Sequence, residues 1–149
     1  MLAGVDASRV IENLVYTYAE RIDRGDFDGV AALFEHATIH GVPDGPPSTR
    51  FQGVEAVRAL YAATTRLHDG TPRTKHLTTN AIIEVDEDAG TASCRSSYCV
   101  LQATPEVPLQ PIVTGRYHDT FHVVDGAWWF ASRTIFMDQV GDLSHHLKG

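Results

Sequence analysis

The segment Tyr18–Phe34, "YAERIDRGDFDGVAALF", decides how the chain folds. Its first half continues an apolar spacing that begins upstream. Val10, Ile11, Leu14, Val15, Tyr18 and Ile22 recur at i, i+3/i+4 and i+7, the spacing of one buried helix face. Asp6 or Ser8 can cap this helix at its start, and Gly25 stands where it ends, near Arg24. Asp26 then caps a second, short helix over 27–34 that turns Val30, Leu33 and Phe34 inward. One residue fits the scheme badly. Asp23 lies in the last turn, on the edge of the apolar stripe, where the helix dipole disfavours a carboxylate by roughly 0.3–1 kcal/mol. Arg21 and Arg24 flank and offset it, but a local cost of this kind also suggests a task for the acid elsewhere.

Outward from this segment the elements follow in order. "ATIHGV" (37–42) reads as a short strand, and "PDGPPSTRFQG" (43–53) as a loop too rich in breakers for regular structure. A third helix over 54–67 is expected to bury Val54, Val57, Leu60, Tyr61 and Leu67. After residue 73 the chain becomes strand-like. "TKHLTTNAIIEV" and "TASCRSSYCVLQA" are joined by "DEDAG", and "PIVTGRYHDTFHVV" and "AWWFASRTIFMDQV" by Asp125-Gly126, a strong hairpin signal. The order α-α-β-α-β-β-β-β predicts an α+β domain over 1–149, with a four-strand antiparallel meander closing over three helices.

The 149 residues suit one domain, with 43% hydrophobic and 21% charged residues. A net charge of −7 without a basic stripe argues against nucleic acid or an anionic membrane as partner. No apolar run approaches the roughly 18 residues of a membrane span, and "MLAGVDASRV" lacks the pattern of a signal peptide. The expectation is a cytoplasmic protein. Cys94 and Cys99 fall on opposite faces of one strand and are expected to be free thiols.

Taken together, "YAERIDRGDFDGVAALF", "FQGVEAVRALY" (51–61), "KHLTTNAII" (75–83), "GRYHDTF" (115–121) and "DGAWWFASRTI" (125–135) resemble the nuclear transport factor 2-like superfamily. Within it they resemble the SnoaL-like group of scytalone dehydratase, dehydrochlorinase and polyketide cyclase. The resemblance spans about residues 7 to 140. It implies a cone-shaped α+β barrel with a deep pocket between sheet and helices, commonly a homodimer packed sheet to sheet.

The resemblance also singles out residues. In SnoaL-like dehydratases and dehydrochlorinases an Asp ending the first helix pairs with a His on the strand after the third helix, which here are Asp23 and His76. The chemistry is sound in itself. A carboxylate that accepts the Nδ1–H of an imidazole fixes its tautomer, and the free Nε2 can then abstract a proton from carbon. Taken alone, His76 could equally be a core or rim histidine. Arg133 occupies the place of an active-site arginine in a related dehydrochlorinase, where a fixed cation stabilises an enolate or departing anion. An ion pair with Asp119 on the neighbouring strand is an equal contender. Tyr18 can donate to a substrate oxygen or simply pack at the pocket rim.

Only one face of the third meander strand can meet the pocket. His118 and His122 share one parity, and Tyr117, Asp119 and Phe121 the other. Scytalone dehydratase uses a second histidine from a sheet strand, a role for which His118 is the candidate. Asn80 is a further polar candidate, and Tyr61, Trp129, Phe136 and Met137 are candidate pocket walls. His36 and His40 can merely finish loops, and His145 and His146 read as a solvated terminus. His118 and His122 lie roughly 13 Å apart on a strand, too far to share one ion, so no metal and no cofactor is assigned. No nucleophile elbow or phosphate loop is present.

The reading that follows is a cofactor-independent lyase or isomerase. His76 is its base, Asp23 its orienter, Tyr18 and Arg133 its polarising groups, and a small hydrophobic cyclic or aromatic molecule its substrate. Two alternatives share the fold. One is a non-catalytic hydrophobic-ligand-binding module; the other is a small subunit related to aromatic-ring dioxygenase β-subunits.

Overall fold

The computed structural model describes residues 6–149. Residues 1–5, on which the reading of a leader-free N-terminus partly rests, lie outside the described residues. Helix α1 runs Ala7–Asp23 from Asp6, whose carboxylate accepts the Ser8 N–H at 3.0 Å. It ends in a Schellman turn: Gly25 N–H donates to Ile22 O at 2.9 Å and Asp26 N–H to Arg21 O at 3.0 Å. Gly25 takes φ +73°, and a Cβ there would run into the Gly70 carbonyl oxygen, so glycine is required twice over. Asp26 caps α2 (Phe27–Ala32) through Gly29 N–H at 2.8 Å. Leu33 and Phe34 follow in a turn and are buried as expected.

The breaker-rich loop holds more order than its composition suggests. It contains a 3-10 turn at Pro47–Thr49 and a short strand, β2 (Arg50–Gln52), that pairs with β1 (Thr38–His40). Helix α3 (Gly53–Thr64) is shorter than its apolar pattern; Val57 is fully buried, but Leu67 lies beyond the helix and is 45% exposed. The meander forms as expected from β3 (Thr74–Asp86), β4 (Thr91–Gln102), β5 (Gln110–Val124) and β6 (Ala127–Val140). Strand β1 joins it by a parallel pairing with β6, giving a mixed sheet of order β2-β1-β6-β5-β4-β3.

The sheet does not close into a barrel, which corrects the expected cone. Strands β2 and β3 are its two edges and do not pair. A barrel of about eight strands is only just wide enough to be filled by its own side chains. This sheet has six, two of them only three residues long. It cannot surround a helix roughly 10 Å across, so it stays open and the helices cover one face.

The covered face carries Ala92, Cys94, Tyr98, Val100, Tyr117, Phe121 and Phe130, packed against Ile11, Val15, Tyr18, Ile22, Val30 and Phe34. The other face is bare in the single chain, with Leu77 and Ile82 exposed beside polar residues. Bulges decide which side chains reach which face. At Thr79/Ile82 the register of β3 shifts, so Thr74 and His76 point inward before it, and Ala81 and Ile83 after it. Cys94 and Cys99 are both free, the first buried and the second half-buried on the opposite face.

Candidate active site

Asp23, the last residue of α1, reaches the first turn of residues on β3. Its carboxylate accepts Thr74 Oγ1 at 3.0 Å, the His76 backbone N–H at 2.9 Å and His76 Nδ1 at 2.7 Å. Three donors replace the solvation that an acid at a helix C-terminus would otherwise need. Because an ionised carboxylate only accepts, Nδ1 carries the proton and Nε2 is left with the lone pair. Both side chains are largely buried, His76 at 8% and Asp23 at 15% exposed.

His76 lines a cavity of 140 Å³ between the sheet and the helices. Tyr18, Tyr61, Tyr98 and Tyr117 form its aromatic wall; Val100, Val113, Ile135, Met137, Leu143 and Leu147 form its aliphatic wall. The Tyr18 and Tyr61 hydroxyls share one short hydrogen bond. Burial raises the pKa of both phenols, that of Tyr61 further because Tyr18 stands beside it. They stay neutral, and because one hydroxyl donates to the other, one phenol proton is left free for a ligand. Tyr98 stacks on Tyr117 at 4.4 Å and donates across Gly115 to the Phe136 carbonyl at 2.8 Å. A side chain on Gly115 would collide with that phenol.

Arg133 lies one layer deeper. It pairs with Asp119, its register partner on β5, through Nε at 2.8 Å and Nη2 at 2.9 Å, and both side chains are 0% exposed. Its guanidinium lies 4.2 Å from the Tyr18 ring centroid and 3.7 Å from that of Tyr117. Burial presses the guanidinium toward neutrality, but Asp119 outweighs it and holds its pKa above the ordinary value. Tyr18 and Tyr117 line the cavity and Arg133 does not. The cation therefore supports the tyrosine wall from behind.

The remaining candidates divide by face. Tyr61 and Met137 line the cavity. His118 is exposed on the opposite face, where its ring lies 4.6 Å from that of Phe136. Trp129 makes an edge contact with His36 at 4.9 Å, away from the cavity. Asn80 sits in the β3 bulge with φ +57° and is exposed. Its role there is conformational, since Asn tolerates the left-handed region better than most residues. Among the described residues no group of three or more His, Cys, Asp or Glu is placed to hold a metal ion, and no helix is long and apolar enough to cross a membrane.

Several cavity residues were missed, Tyr98, Tyr117 and His146 among them. His146, read as part of a solvated tail, is 8% exposed and lines the cavity, its ring centroid 6.1 Å from that of His76. The tail folds back as a strap. His146 O accepts Arg66 N–H at 2.7 Å, Lys148 N–H donates to Thr64 O at 2.8 Å, and buried Gln102 donates to His145 O at 3.0 Å. The one sequence signal was Leu143 and Leu147, four apart and bracketing the histidines.

Helices laid on one face of an open mixed sheet are shared by dehydratase-like enzymes and non-catalytic members alike; this chain adds a buried imidazole–carboxylate pair beside a cavity. The chain belongs to the SnoaL-like domain family, whose model matches residues 4–134. A variant of Rv3472, a Mycobacterium tuberculosis protein of unknown function, is 28% identical over 89% of this chain and 72% of its own, with a TM-score of 0.69. A candidate scytalone dehydratase from Novosphingobium aromaticivorans is 25% identical over 91% of this chain and 86% of its own, also at 0.69. The β subunit of a candidate aromatic-ring-hydroxylating dioxygenase from the same organism shares the fold, with a TM-score of 0.69 at 21% identity over 90% of each chain. No curated protein matches the sequence.

Proposed function

We propose that the protein is a cofactor-independent enzyme that abstracts a proton from carbon on a small apolar cyclic or aromatic substrate, leading to elimination, isomerisation or cyclisation. The observation that carries this reading is the Asp23–His76 pair: Nδ1 is committed at 2.7 Å and the same ring lines a cavity walled by tyrosines and aliphatics. His76 is the base through Nε2, and Asp23 orients it and stabilises the imidazolium that forms. Tyr18, bonded to Tyr61, donates to the oxygen on which negative charge develops. Arg133 acts through Tyr18 as a positioning residue, with its charge already matched by Asp119. A wall that only bound ligand would gain nothing from a carboxylate fixing one imidazole tautomer. That argument favours catalysis over the ligand-binding module and over a structural subunit.

The similarity to a candidate scytalone dehydratase supports the same class. A homodimer through the bare sheet face belongs to the reading, supported by exposed Leu77 and Ile82 on that face. The test of catalysis is deuterium incorporation beside the carbonyl of cyclic ketones, cyclohexanone and cyclohex-2-enone, followed by NMR in deuterated buffer. Wild type accelerates exchange of at least one, and His76→Ala, still folded, loses about 10²–10⁴-fold of that rate. Equal exchange by both proteins rejects His76 as the base.

A further inference from the structure

The strap brings to the cavity a side chain with a buried polar atom that nothing else in the structure answers. His146 Nδ1 is buried and has no hydrogen-bond partner among the described residues. Tyr18 is bonded to Tyr61, Tyr98 to the Phe136 carbonyl and His76 Nδ1 to Asp23; among the described lining residues His146 Nδ1 is the one fully buried polar side-chain atom without a partner. The ring's position is fixed, because its own carbonyl and those of its two neighbours all accept hydrogen bonds from the body of the domain. Burial, reinforced by His76, draws its pKa down to about 4, so the ring is neutral at pH 7. A buried nitrogen without a partner is costly to keep unless a ligand completes it.

Size and charge narrow the ligand. The cavity measures 140 Å³. An apolar cavity of about 150 Å³ holds one benzene ring, and two fused rings exceed it. Asp, Glu, Lys and Arg are absent from the lining, so a charged ligand would find no counter-ion there.

We propose that His146 is a substrate-contacting residue and that the ligand is a neutral single six-membered ring bearing a hydroxyl, which hydrogen-bonds to the His146 imidazole. A hydroxyl both donates and accepts, so it satisfies either tautomer of the ring. The proposal rests on reading this cavity as the substrate site, and its test uses binding, whereas the catalytic reading is tested by exchange.

Phenol, toluene and 2-naphthol are titrated calorimetrically against the full chain, with the histidine ring signals followed by NMR. Wild type binds phenol about tenfold more tightly than toluene, binds 2-naphthol far more weakly, and shows a shifted His146 ring signal with phenol. His146→Phe keeps the wall aromatic and binds phenol and toluene alike, and His146→Gln restores the preference. Absence of phenol binding, equal affinity of wild type for phenol and toluene, or an unmoved His146 signal overturns the contact. So does an unchanged preference in His146→Phe. Binding of 2-naphthol as tight as that of phenol overturns the single-ring limit.

Discussion

Arg133–Asp119 and His76–Asp23 are both hydrogen-bonded pairs of a base and a carboxylate, with contacts of 2.8 Å and 2.7 Å, and they stand on either side of the same tyrosine wall. The first has no exposed atom in either side chain. Its cation cannot release a proton at any working pH and is sandwiched by Tyr18 and Tyr117. The second keeps a little contact with solvent and ends in a nitrogen that can take up a proton. The same type of pair therefore does two jobs. In the interior it fixes the wall; at the cavity it offers a base with one tautomer.

The comparison breaks most easily at Arg133. Arg133→Met leaves Asp119 buried and unpaired, and is expected to cost about 3–5 kcal/mol in denaturant unfolding. Pairing it with Asp119→Leu restores most of that loss, because the desolvated charge is then gone. A smaller effect separates the two regions by pH. His146, buried beside His76, has its pKa drawn from 6.5 to about 4. The unfolded chain then binds more protons between those values, so stability is lost as pH falls from about 6.5 to about 4, by up to about 3 kcal/mol. His146→Phe removes this slope relative to wild type. Smallest is the stability cost of Asp23→Asn, about 1–2 kcal/mol, since one oxygen can still accept but the amide faces the His76 N–H. A cost as large as that of Arg133→Met would make the two pairs equivalent and erase the distinction.

The residues that conflict with their own local surroundings were the most legible in the sequence. Asp23 at a helix C-terminus announces a tertiary partner; His76 stood out in an apolar-alternating strand, and the family resemblance supplied their pairing. Asp119 and Arg133 were legible as neighbours, but two-residue periodicity could not say that they lie behind the cavity wall and not in it. Face assignments failed where bulges intervene. The shifts at Thr79/Ile82 and Thr120/Phe121 change the parity of β3 and β6, and Asn80, Trp129 and Phe136 lie away from the cavity. Barrel closure was also beyond pattern reading, because edge pairing depends on strand length and on what fills the interior. The strap was hidden for another reason. Its hydrogen bonds are mostly to backbone atoms, which any sequence supplies, and "SHH" resembles an ordinary polar tail.

The central claim is that Asp23 and His76 act as one unit, and a double-mutant cycle on proton exchange tests it most directly. Exchange of cyclohexanone and cyclohex-2-enone α-protons is measured for wild type, Asp23→Asn, His76→Ala and the double variant. Asp23→Asn is expected to lower the rate by about 10²-fold or more, and to have no further effect once His76 is alanine. Losses that multiply in the double variant, or exchange that survives either substitution, would contradict the account.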